Sequence, residues 1–157
     1  MGKTKKKMLG FWIGLAGALL TIGSLYMPFA DAGAESKSLV GVARLYIGSD
    51  SAAWHNKTYE TFYKIFVPTM VTLILIFTLL YIFTNRRMKP VGMIVSNILT
   101  IATYEILKWD FADRRVVPGA CDKGIAFTVI YIAFAIMTAG TVVRMIERKN
   151  RIARMKE

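Results

Sequence analysis

The chain has 157 residues, 55% of them Ala, Val, Ile, Leu, Met, Phe, Trp, Tyr or Cys, and its mean hydropathy of +0.44 lies far above that of a soluble domain. One cysteine, Cys121, and one histidine, His55, exclude an intramolecular disulfide framework, a CxxC redox pair, Cys-rich zinc sites and haem held by two histidines. The formal charge is +11, from 21 Lys and Arg against 10 Asp and Glu. Because the basic residues flank apolar spans, this excess points to a membrane surface and not to nucleic acid.

Four apolar stretches approach the roughly 20 residues a helix needs to cross the hydrocarbon core: 8–29, 62–83, 91–107 and 124–143. Lipid offers no partner to an open backbone, so spans of this kind are expected to be α-helices despite their β-branched content. In the first, Gly10, Gly14, Gly17, Thr21 and Ser24 recur at alternating spacings of four and three, a continuous seam of small residues that includes a GxxxG. Close backbone approach along such a seam drives helix packing in lipid. The seam faces either the protein's own helices or another subunit. The first span also has the layout of a secretory signal peptide, with Ala30-Asp31-Ala32 and Ala32-Gly33-Ala34 as A-x-A sites. Its apolar run of about 20 residues exceeds the roughly 7–15 of a typical signal h-region, so the span is expected to be retained.

The outer loop, about 30–61, is too apolar for a free linker. Its stretch 38–48, closed by Gly48, allows a strand pair or an interfacial helix, and the loop is expected to fold back as a small extracytoplasmic cap and to offer the best recognition surface. Trp54, Tyr59, Phe62 and Tyr63 lead into the second span as an aromatic belt. Asn56-Lys57-Thr58 fits a glycosylation sequon, which carries little weight as a three-residue match, and His55 near Asp50 and Glu60 falls short of metal-ligand spacing. Pro68 and Pro90 sit near the starts of the second and third spans, where a missing N–H does little harm.

The third span is the shortest and most polar. Asn97, Thr100, Tyr104 and Lys108 fall on one side of it, with Ser96, Thr103 and Glu105 alongside, so the stripe should face the bundle interior or a wet cavity. Glu105 reads as a proton- or ion-handling acid or, with Lys108, Asp110 and Arg114 nearby, as part of a structural interfacial ion cluster, which is the expectation. The second outer loop balances its charges and holds Cys121, expected to be inert. In the fourth span Ala135 and Ala139 form a further small-xxx-small pair, and the segment 144–157 continues in helical rhythm as a basic tail.

Basic residues are distributed unevenly between the two sides. Lys3, Lys5, Lys6, Lys7, Arg86, Arg87, Lys89, Arg144, Arg148, Lys149, Arg151, Arg154 and Lys156 fall on one side with only Glu147 and Glu157, which accounts for the whole excess of +11. The positive-inside rule then places both termini in the cytoplasm and the chain in the plasma (inner) membrane.

The run Gly17 to Phe29, with its Gly-Ser-Leu-Tyr-Met-Pro-Phe ending, and the later Gly124-Ile-Ala-Phe-Thr-Val-Ile-Tyr-Ile-Ala resemble the small, mostly uncharacterised four-span bacterial membrane proteins whose first helix ends in Leu-Pro-Phe or Leu-Pro-Trp. The layout also resembles that of claudins, without the Trp and paired-Cys signature of the claudin loop. The resemblance implies an all-α fold, a four-helix transmembrane bundle, and supplies no catalytic residues. The chain contains no HExxH, GxSxG or P-loop pattern. The expectation is therefore a non-enzymatic integral membrane protein without cofactor or metal. It would act as an accessory or scaffold subunit that binds membrane lipids, a protein partner or its own copies. The alternative is a small channel or transporter subunit that uses the polar stripe of the third span.

Overall fold

The computed structural model describes residues 8–32, 35–48, 58, 60–113 and 122–155. The sequon's Asn56 and Lys57, His55 with Asp50, Trp54, Tyr59, Arg114, Cys121, the N-terminal lysines and Lys156 lie outside the described residues. Five helices and three short strands are present among them, in the order α1 Leu9–Ser24, β1 Pro28–Ala32, β2 Glu35–Ser38, α2 Leu39–Ile47, α3 Glu60–Arg86, α4 Pro90–Asp113, β3 Asp122–Lys123 and α5 Ile125–Arg154. Three of the helices, α3, α4 and α5, are long and apolar enough to cross a membrane.

The helix of the first apolar stretch stops at Ser24, short of the expected 29. Ser24 and Thr21 turn their hydroxyls back onto the carbonyls of Thr21 and Gly17, at 2.7 and 3.0 Å. The backbone then tightens to i→i−3 hydrogen bonds through Met27, the 3₁₀ geometry common at helix ends. Pro28, which has no N–H to give and pushes Met27 out of the helical region, ends the winding. From Leu9 to Met27 the wound segment spans about 30 Å. At its other end α5 continues without interruption from the apolar stretch into the basic tail, as far as Arg154.

The four long helices run up and down as a ring in which α1 lies against α5 and α3, and α4 against α3 and α5. Pro68 falls inside α3, about two turns from its start. At one end, β1 pairs antiparallel with β2 and with β3, so the otherwise all-α fold includes a small sheet of order β2-β1-β3. The sheet ties the first outer loop to the start of α5. Gly124 N donates to Phe29 O at 2.9 Å, and a side chain at Gly124 would collide with the Pro28 carbonyl. Ser38 caps α2 by accepting from Gly41 N at 3.0 Å. This short helix buries Leu39, Val42, Ala43, Leu45 and Tyr46, with the Tyr46 ring 5.2 Å from that of Tyr63 on α3. Stretch 38–48 thus adopts the helical one of its two allowed forms.

At the opposite end, the α3–α4 turn closes as a Schellman motif: Met88 N donates to Asn85 O and Lys89 N to Thr84 O, at 3.1 and 3.0 Å. The left-handed position, usually glycine, is Met88 at φ 52°. A side chain there opposes the preference of L-residues by about 1–2 kcal/mol. Met88→Gly is expected to raise stability by roughly 1 kcal/mol in detergent micelles; denaturation that leaves the variant equal to or below wild type would show that the methionine contacts outweigh the strain.

Candidate functional site

The seam residues Gly10, Gly14, Gly17, Thr21 and Ser24 are all buried. α5 and α3 fill the seam. A methyl group added at Gly10 would lie 2.9 Å from Arg144 N, at Gly17 2.7 Å from Met137 N, and at Gly14 2.7 Å from the Tyr81 hydroxyl. One added at Gly140 would lie 2.5 Å from Gly14 Cα, so two glycines on antiparallel helices meet backbone to backbone. Thr21 adds a contact from its hydroxyl to Met137 Sδ at 3.4 Å. Of the two faces open to the seam, the structure uses the internal one. Ala135 and Ala139 on α5, by contrast, are exposed on the outside of the bundle, while Gly140 beside them carries the close contact.

The polar stripe of α4 divides in two. Asn97, Thr100 and Tyr104 are buried, whereas Glu105 and Lys108 lie partly exposed. Asn97 Nδ2 donates to Thr138 Oγ1 on α5 at 2.9 Å, and Thr100 Oγ1 bonds back to Ser96 O at 2.8 Å. The Tyr104 ring is held edge-on by Phe29, Tyr131 and Phe134. Asn97 Oδ1 and the Tyr104 hydroxyl, both fully shielded, have no hydrogen-bond partner among the described residues. Glu105 pairs with Lys108 one turn on, and the Tyr131 hydroxyl bonds to both, forming a three-residue cluster at the outer mouth of the α4–α5 interface. Lys108 and Lys123 also face the Phe127 ring, at 5.7 and 4.8 Å from its centroid. Asp110, further along α4, is buried and accepts from the Tyr63 hydroxyl at 2.7 Å, which links α3 to α4 beneath α2. Of the residues expected in an ion cluster, Glu105 and Lys108 pair with each other beside Tyr131, Asp110 accepts from Tyr63, and Arg114 lies outside the described residues.

The sequence counts Arg144 among the cations of the basic tail. The structure buries it, at 1% exposure, where α1, α3 and α5 meet. Its Nε donates to Asn85 Oδ1 at 3.0 Å, its Nη2 to Asn85 O at 2.9 Å and its Nη1 to Glu147 Oε2 at 3.0 Å, with the guanidinium 5.6 Å from the Phe11 ring centroid. Glu147 Oε1 in turn accepts from Gly10 N at 3.0 Å, and Asn85 Nδ2 donates to Phe11 O at 3.1 Å. Below this level the Tyr81 hydroxyl donates to Met137 O at 2.6 Å and lies 3.2 Å from Thr141 Oγ1.

The arrangement closes two helix ends from a third helix. Met8 gives α1 no side-chain cap, and Glu147 takes that role, placing a carboxylate on a free N–H where the helix dipole is positive. Arg144 places its cation on a carbonyl in the last turn of α3, where the dipole is negative. A signal for this burial exists in the sequence: Arg144 continues the face of Met137, Gly140 and Thr141, and Asn85 that of Ile74, Thr78 and Tyr81, at spacings of three and four.

Among the described residues no group of three or more His, Cys, Asp or Glu side chains is placed to hold a metal ion. No family model matches the chain, and no curated protein or solved structure matches it.

Two stability predictions follow from this geometry. Arg144→Ala leaves Asn85 and Glu147 without their buried partner and is expected to cost about 3–5 kcal/mol, with Arg144→Lys recovering only part because an ammonium cannot make the forked contacts. Denaturation in micelles that places Arg144→Ala within about 1 kcal/mol of wild type would contradict the capping role. Tyr104→Phe removes a shielded hydroxyl that has no partner, so the variant is expected to be as stable as wild type or more stable, by up to about 1 kcal/mol. A loss of more than about 1 kcal/mol in the same assay would reveal a partner for that hydroxyl in solution.

Proposed function

We propose that the chain is a non-enzymatic integral membrane protein of the plasma membrane, with four spans and both termini cytoplasmic, that serves as an accessory or scaffold subunit for lipid or protein partners. α3, α4 and α5 provide three apolar helices of sufficient length, and the winding of α1 on to Met27 brings the fourth to about the thickness of the hydrocarbon core. The observation that carries the reading is the engagement of the buried polar groups of α1, α3 and α5 with one another. Arg144, Glu147, Asn85, Tyr81 and Thr141 close on helix ends and backbone carbonyls, so this half of the interior holds the bundle together and presents no polar path. What the bundle offers to others is its outside: an apolar belt, a basic end and the cap of α2 and the sheet. The shared layout with small four-span bacterial membrane proteins belongs to the same proposal.

A second reading, a small channel or transporter subunit, draws on one specific feature. Asn97 Oδ1 and the Tyr104 hydroxyl are unpartnered along the α4–α5 interface, whose outer mouth carries Glu105, Lys108 and Tyr131. Proteoliposomes separate the two. The scaffold reading expects ion and small-solute flux equal to that of protein-free vesicles. Flux above that level, lost in Asn97→Leu and Glu105→Gln, would overturn it in favour of transport. Topology is tested in a Cys121→Ser background with single cysteines at positions 3 and 156: an impermeant maleimide is expected to reach both from the cytoplasmic side, and labelling from opposite sides would refute four spans.

A further inference from the structure

The end of the bundle that holds Arg144 also carries cations that the capping network leaves free. The strained turn at Met88 presents Arg86, Arg87 and Lys89 to solvent, with the Arg87 guanidinium carbon 4.2 Å from the Phe83 ring centroid. Beyond Arg144, α5 continues with every residue from Arg148 to Met155 exposed, including Arg148, Lys149, Arg151 and Arg154. Arg151 Nη1 reaches Met88 Sδ at 3.8 Å, which brings this extension onto the turn. Two segments about sixty residues apart in the chain thus gather seven cations at one end. Among the described residues the one acid at that end is Glu147, and both of its oxygens are engaged, by Arg144 and Gly10.

Like charges gathered without acids repel one another, and the helix dipoles at the C-termini of α3 and α5 offset only part of that repulsion. An anionic partner removes the rest. The character of that partner follows from what adjoins the cations. Phe83, Val91, Met145 and Ile146, all within about a turn of them, are exposed apolar side chains, at 49%, 72%, 46% and 55%. A single partner that covers the apolar belt and neutralises the cations beside it is a bilayer whose headgroups carry negative charge. With Arg144 at the hydrocarbon edge, a rise of about 1.5 Å per residue places the backbone of Arg148 and Lys149 about 6–8 Å out, at the headgroup layer, and that of Arg151 and Arg154 about 10–15 Å out, from where their long side chains can reach back to it.

We propose that the α3–α4 turn and the C-terminal extension of α5 form a two-part cationic seat for the phosphate groups of anionic phospholipids. The inference rests on the reading that α3, α4 and α5 cross the bilayer. The test reconstitutes the full chain into phosphatidylcholine vesicles with and without phosphatidylglycerol. Electron spin resonance then compares spin-labelled forms of the two lipids in the protein's lipid shell. Phosphatidylglycerol is expected to be preferred about fivefold, the effect of a single cation held near an anionic surface as a lower bound. The preference is expected to fall with added sodium chloride. It is expected to weaken when either cluster is neutralised, as R86Q/R87Q/K89Q or as R148Q/K149Q/R151Q/R154Q, and to weaken further when both are.

Equal association of the two lipids, or a preference left undiminished by both sets of substitutions together, overturns the proposal and leaves the basic end to an acidic protein. Inorganic phosphate that displaces the labelled lipid beyond chloride of matched ionic strength reassigns the seat to a soluble phosphate ligand. The salt titration uses wild-type protein alone, so the proposal stays open to refutation even if a substituted chain fails to fold. A chain that alkaline carbonate extracts from both kinds of vesicle overturns the membrane reading itself, a result distinct from a reconstituted chain without lipid preference.

Discussion

The bundle depends on one buried ion pair that closes the ends of two helices at once. α1 begins without a side-chain cap and α3 ends where the chain must reverse, so both leave backbone groups to be satisfied at the same level. α5, packed on α1 and reaching α3 across the bundle, supplies Glu147 to the first and Arg144 to the second. Burying an arginine is costly unless its donors are met, and here three of its nitrogens donate at 2.9–3.0 Å. Because each partner is also an element end, the pair fixes how far α5 slides along α1 and α3. That registration brings Gly140 opposite Gly14, the position at which neither helix tolerates a side chain.

The two sides of α5 are held by different forces. Towards α1 the glycines allow backbone contact, and dispersion between closely packed atoms supplies the attraction. Towards α4 the contact is made by larger side chains: Asn97 on Thr138, the Tyr104 ring against Tyr131 and Phe134, and the Glu105–Lys108–Tyr131 cluster at the mouth. Two shielded polar atoms there have no partner among the described residues, each a cost of about 1–3 kcal/mol. The α1–α5 pair is therefore the rigid half of the bundle, and the α4–α5 interface is the side on which a rearrangement would gain hydrogen bonds instead of losing them.

Much of this was legible in the sequence, and what was not has a physical cause. Hydropathy marks the helices α3, α4 and α5 because length and apolar content are local properties, and the alternation of small residues at four and three marks the buried face of α1 because it is the face itself. Charge counting assigns Arg144 to the basic end but is silent on its burial, which depends on helical phase. Arg144 shares the face of Gly140 and Thr141; Arg148, one turn on, lies past the end of the bundle and is exposed. Asn85 was passed over for the same reason, as a polar residue near a helix end whose partners are long-range. The sheet was missed because β1 and β3 are short and pair across most of the chain, a contact that no local pattern encodes.

The two ends of the bundle divide the work of placing the helices. At the capped end the connection is mainly backbone to backbone, where β1 bridges β2 and β3 and Gly124 docks on the carbonyl of Phe29, with the Tyr63–Asp110 side-chain hydrogen bond joining α3 to α4. Such contacts are short-ranged and largely indifferent to ionic strength. At the Arg144 end the connection is ionic inside and cationic outside, with Arg144 buried against a half-buried Glu147 and seven cations exposed. Salt screens the exposed charges far more than the buried pair. The outer set is consequently free to respond to the charge of whatever surface it meets, while the pair beneath it holds α1, α3 and α5 in register whether or not that surface is present.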